Sequence, residues 1–127
     1  MAFAKLNYPD EQLDTGNDSL VIMNYLGGID GGCTLDAEGF DSPVIKAGHI
    51  VIVKNDTLAR KPMPVSGDAY DSLPAGYSYE GVTVKTKKVS DPNHGVMTIG
   101  IVNTEVSPYP VTQAMKDALK TINFTKN

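Results

Sequence analysis

The chain reads as a mainly β (α+β) domain: a small β-sandwich or barrel-like unit with an extended N-terminal arm and one short C-terminal helix. Three observations predict this. Apolar runs of strand length, "LVIMNYL" at 20–26, "HIVIV" at 49–53 and "VMTIGIVNTEV" at 96–106, are separated by clusters of Gly, Pro, Asn and Asp. "GVTVKTKKVS" at 81–90 alternates with the two-residue period of a strand. A helical period occurs only at the end of the chain, in Met115, Ala118, Leu119 and Ile122.

A chain of 127 residues and 13.6 kDa is expected to form one domain, which buries about two thirds of the surface of its unfolded form. Its composition, 41% hydrophobic and 20% charged, is that of a globular protein, and no stretch approaches the ~20 apolar residues of a membrane span. The start, "MAFAKLNYPDEQ", lacks the basic and apolar regions of a secretory signal, so synthesis and residence in a cytoplasm are expected. Cys33 is the single cysteine and is expected to be a free thiol. A net charge of −4 and a pI near 5.0 disfavour nucleic acid and anionic membranes as partners.

Residues 1–19 are read as the arm, with Phe3, Leu6, Tyr8 and Leu13 spaced among polar residues before the turn-forming "DTGNDS"; residues 20–127 form the single domain. The first strand, 20–26, is apolar on both faces and stops at Gly27-Gly28. "GGIDGG" and "CTLDAEGFDSP" then predict a hairpin. In "IKAGHIVIVKND", 45–56, the strand period puts Ile50 and Ile52 on one face and His49, Val51 and Val53 on the other. Both faces are apolar, so both need cover, from the chain's own core or from a neighbour.

Residues 57–81 carry three prolines and three glycines without a sustained period, which predicts a long ordered surface excursion. Tyr70, Tyr77 and Tyr79 are expected to tuck it onto its own domain in preference to binding a partner. The strand at 81–90 places Val82, Val84 and Thr86 opposite Thr83, Lys85 and Lys87. "DPNHG" supplies a turn holding a solvated His94, and the strand 96–106 returns beside 81–90 as a hairpin. The stretch "VTQAMKDALKTINF" closes the domain as an amphipathic helix capped by Thr112, its apolar stripe against a sheet face.

No catalytic constellation emerges. His49 at the head of an apolar strand is expected to be a hydrogen-bonded structural residue, and Ser66 lacks the Gly-x-Ser-x-Gly elbow of a hydrolase nucleophile. Two histidines and one cysteine give no paired zinc spacing. Asp30, Asp36, Glu38 and Asp41 do not follow the calcium-loop order, and "GGIDGG" lacks the dinucleotide fingerprint. No catalytic, cofactor-binding or metal residue is therefore assigned, no cofactor is expected, and the protein is not expected to be an enzyme. Lys85, Lys87 and Lys88 form the one basic focus, read as the wet face of a strand and as a candidate anchor for an acidic partner.

The order of these pieces resembles the tailed-phage capsid decoration and head-fibre proteins, the group that includes the lambda-type head-decoration protein. The resemblance rests on "AGHIVIV" leading into a polar turn, on "GVTVK" and "TIGIVN" as paired strands after the loop, and on the ending "VTQAMKDALKTINF", covering about residues 20–124. It implies a non-enzymatic virion protein on the capsid exterior, assembled in the host cytoplasm, a homotrimer whose partner is the major capsid protein. On that reading Phe3, Leu6, Tyr8, Leu13, Lys85, Lys87 and Lys88 contact the capsid. His49, Val51 and Val53, with Tyr70, Tyr77 and Tyr79, lie at the subunit interface. The alternative is a monomeric β-domain that binds carbohydrate or peptide through the tyrosine-rich loop 57–81.

Overall fold

The computed structural model describes residues 18–29, 31–40 and 42–126. Phe3, Leu6, Tyr8 and Leu13 lie outside the described residues. The architecture is mainly β, as the sequence predicts, with antiparallel pairing throughout except at the last strand.

A single helical turn, α1 (Asp18–Val21), leads into β1 (Ile22–Gly28). Then follow β2 (Val44–Ile45), β3 (Ile50–Lys54), β4 (Arg60–Pro62), β5 (Val65–Ser66), β6 (Ala69–Tyr70), β7 (Tyr77–Thr83), β8 (Lys87–Lys88) and β9 (Val96–Asn103). The helix α2 (Gln113–Ala118) and the strand β10 (Ile122–Thr125) complete the described chain. Six strands make the main sheet in the order β1-β9-β7-β3-β4, with β10 also on β9; β2 with β8 and β5 with β6 form two small ribbons. β9 is the hub. β1 lies along one side of it, while β7 (at Val96 and Met97) and β10 (at Gly100 to Asn103) divide the other.

β3 settles how a doubly apolar strand is accommodated. Its neighbours are β4 and β7, so it is interior to the sheet. Ile50 and Ile52 enter a core with Val21, Met63, Val82, Met97, Val102, Met115, Leu119 and Ile122. Val51 enters a second core with Leu35, Ile45 and Val96, against which Ile29, Cys33, Phe40 and Val89 pack. One face is thus covered by α2 and the closing strand, the other by the β2–β8 ribbon and the 29–40 segment. Both covers come from this chain.

Several expectations are corrected. The segment 81–90 is two strands in two sheets. β7 ends at Thr83, which still pairs with Val96 on β9 while its hydroxyl donates to the Lys46 carbonyl at 2.8 Å, and three residues on Thr86 is held by Asp18. No hairpin forms in the described part of 29–40; the segment is tied instead by a bridge between Cys33 and His94, by the Thr34 hydroxyl donating to the Pro92 carbonyl and by the Asp36 N–H donating to the Arg60 carbonyl. The excursion 57–81 contains β4, β5 and β6 and the start of β7.

The predicted terminal helix spans only six residues. Thr112 caps it as expected, its hydroxyl accepting the Met115 N–H at 3.3 Å. Met115, Leu119 and Ile122 are buried as the helical stripe requires, but Ile122 belongs to β10. The physical reason is a competing period: Ile122 and Phe124 alternate with polar residues, and the vacant stretch of β9 at 100–103 offers a full set of backbone partners.

Candidate interaction surface

His49 is packed on every side. It is 1% exposed, its Nε2 lies 2.9 Å from the Met63 carbonyl, and Phe40, Tyr70 and Tyr109 meet its ring edge-on at centroid distances of 5.3, 5.2 and 5.6 Å. Burial pushes its pKa down to about 4, against a small opposing effect of the Met63 hydrogen bond, so the ring is neutral near pH 7. A neutral ring with a donor on Nε2 suits that carbonyl. No hydrogen bond joins His49 to Ser66, which is exposed on β5.

Val51 and Val53 are likewise buried by the chain itself. The assignment of His49, Val51 and Val53 to a subunit interface is therefore corrected: none offers surface to a second subunit. The sequence correctly marked β3 as needing two covers, and the second cover is the ribbon β2–β8, whose two-residue strands are too short to read as strands in the sequence.

The three tyrosines are half-buried against their own domain. The Tyr70 hydroxyl accepts the Ile50 N–H at 3.1 Å, and burial drives its pKa upward. Tyr77 and Tyr79 stand two residues apart on β7, packed against the first core, with the Lys61 ammonium 4.8 Å from the centre of the Tyr77 ring. They dock the excursion onto its own domain.

The lysines have different environments. Lys85 is exposed, with no hydrogen-bonding or ionic partner among the described residues. Lys87 donates to the Asn93 carbonyl at 2.8 Å and lies 3.7 Å from Asp91. Lys88 pairs with Val44 across the small ribbon. His94, expected to be solvated, is 1% exposed; burial lowers its pKa, and neither ring nitrogen has a partner among the described residues.

The exposed apolar surface runs along α1 and β1. Leu20 (52% exposed), Met23, Tyr25 and Leu26 (63%) follow one another through α1 and β1, and Ile99 on β9 lies beside Gly27. The register shows why these side chains are outside: Met23 and Leu26 are extra residues in bulges, where β1 slips by one against β9. A second constraint holds the strand's end flat on β9, since a side chain at Gly28 would collide with the Val96 carbonyl and the Tyr25 hydroxyl. Beside the strip lies a groove of about 380 Å³, walled by Tyr25, Ile29 and Val84 and rimmed by Lys85, Lys87 and Asn93.

Sequence reasoning did note that 20–26 is apolar on both faces, which is the signal for this surface. It missed that β1, unlike β3, stands at an edge of the sheet formed by the described residues. Comparison of the chain with protein-family models, curated proteins and solved structures returns no match.

Proposed function

We propose that the chain is a non-enzymatic structural virion protein that binds the exterior of an assembled phage capsid, as a decoration, stabilising or head-fibre protein working as a homotrimer on the major capsid protein. One observation carries the reading. A domain with two well-packed cores nonetheless leaves Leu20, Met23, Tyr25, Leu26 and Ile99 exposed together around one edge strand. Clustered exposed apolar side chains mark protein contact surfaces. The resemblance of the chain's segments to decoration proteins gives that contact its partner.

The mechanism is mass action. A protein that binds the assembled lattice and not its free subunits stabilises the lattice by RT ln(1 + [L]/Kd), about 2.7 kcal/mol per site at about 100 times Kd. Many sites add in parallel, so a weak contact per subunit suffices. The test mixes the purified protein with undecorated capsids of the cognate phage and follows co-sedimentation and heat resistance. Binding together with a raised disruption temperature is expected; failure to bind defeats the reading.

A further inference from the structure

We propose that Leu58, at the tip of the β3–β4 hairpin, is an anchor residue that inserts into an apolar socket of the shell protein. The inference rests on the proposed function for the partner's identity, and it adds a contact separate from the strip on β1.

Among the described residues Leu58 is the one non-glycine with a positive φ, 60°, and its side chain is 61% exposed. A left-handed backbone crowds Cβ against the following carbonyl, so it falls to glycine by default and is an outlier for a bulky residue; six described glycines adopt it here. The hairpin requires that conformation. The Leu58 N–H donates to the Lys54 carbonyl at 2.8 Å, and the Lys54 N–H donates to the Ala59 carbonyl at 2.8 Å, which closes the turn between β3 and β4. Nothing in this geometry requires a leucine. The side chain strains the backbone and, being exposed, recovers little by burial in its own chain. Strain of this kind is held at functional sites, where a ligand or partner offsets it.

The tip is braced as well as strained. The Asn55 N–H donates to the Gly76 carbonyl at 2.9 Å and the Ser78 hydroxyl donates to Asn55 Oδ1, so the turn leading into β7 and β7 itself hold the loop in place. A side chain presented on a fixed backbone gives up little conformational freedom when it docks. Its sequence neighbours, Thr57 and Ala59, are uncharged, which suits a socket with a neutral rim.

The socket is assigned to a different protein because this chain offers none of that chemistry. Its five cavities of about 100 to 390 Å³ are each lined by at least one lysine or carboxylate. Leu58 is also apart from the other exposed apolar side chains: β4 stands at the opposite end of the strand order from β1.

The test compares the full chain with Leu58→Gly and Leu58→Met in three measurements: thermal melting, solution mass by light scattering, and affinity for undecorated capsids by co-sedimentation. Leu58→Gly relieves the backbone, so it is expected to melt no lower than the parent and to keep the parent's mass, while binding capsids about tenfold or more weakly. Leu58→Met keeps a long apolar side chain and is expected to keep most of the affinity. A gain in stability with a loss in binding is a result that a merely structural leucine does not give. Capsid binding by Leu58→Gly as tight as the parent's overturns the proposal and leaves the function standing. A lower melting temperature for Leu58→Gly overturns it too, since the leucine then supports its own fold, and a fall in mass overturns it by making a second copy the occupant. Failure of the parent itself to bind capsids defeats the function and this anchor together.

Discussion

Asp18 and Thr86, 68 residues apart in the chain, are joined by two hydrogen bonds: the carboxylate accepts the Thr86 N–H at 2.9 Å and the Thr86 hydroxyl at 2.7 Å. The same hydroxyl accepts the Ala47 N–H at 3.0 Å. The start of the described chain is thereby fixed to the segment between β7 and β8, and through it to the approach to β3. This fastening sets the position from which β1 runs along β9.

Thr86→Val removes the shared hydroxyl and strands the buried Ala47 N–H, at a cost of about 1–3 kcal/mol. Asp18→Ala loses two charge-assisted bonds but leaves the Ala47 bond in place. Urea denaturation of both variants and of the double variant should therefore show strong non-additivity, because all three bonds share one hydroxyl or its residue. Additive losses would mean that the bonds do not act together.

His49 makes stability depend on pH. Its pKa lies near 6.5 in the unfolded chain and about 4 in the folded one, so between these values the unfolded state binds the extra proton. The contribution is fully present above pH 6.5 and declines as pH falls towards 4, by about 3 kcal/mol in total at about 1.4 kcal/mol per pH unit. His94, also lowered by burial, acts in the same direction. Urea midpoints measured from pH 4 to 8 should fall on the acid side, and His49→Gln should flatten that fall.

The two doubly apolar strands should respond oppositely to truncation. Ile52→Ala, in the first core and fully buried, is expected to cost about 2–5 kcal/mol. Leu26→Ala, on the exposed strip, should change stability by no more than about 0.5 kcal/mol. Thermal melts of the isolated protein decide it; a comparable loss at Leu26 would show that β1 is covered in solution.

Gly81 sits opposite Val51 beside a bulge made by Glu80, whose carboxylate reaches Arg60 at 3.5 Å. A methyl group at Gly81 would strike the Met97 carbonyl on β9. Gly81→Ala should destabilise by about 1–3 kcal/mol, the ordinary range for overpacking, with most of the effect in the unfolding rate if the β7–β9 contact forms late. A neutral substitution would contradict the close approach of these strands.

The fold class was legible because strand-length apolar runs and turn residues state it directly. Thr112 as a cap and the burial of Met115 and Leu119 were equally readable. Tertiary context decided the rest. "TINF" carries both a helical stripe and a strand alternation, and only the vacancy on β9 chooses between them. "HIVIV" and "LVIMNYL" look alike as strings, yet one is interior and one is an edge, since position in a sheet depends on pairings made with residues far along the chain. The demand for cover was read at Val51, which the chain's own second core meets, whereas the exposed apolar side chain is Leu26 on β1. His94 was hidden for a related reason, as its burial depends on the bridge to Cys33, which no local pattern announces.

On the proposed function, the exposed strip along β1 is the contact through which this protein holds an assembled shell. Met23→Asp with Leu26→Asp tests it most directly, in co-sedimentation with undecorated capsids. The doubly substituted protein is expected to keep an unaltered melting curve and stay in the supernatant while the unsubstituted protein pellets with the shell. Equal pelleting of the two proteins would contradict it.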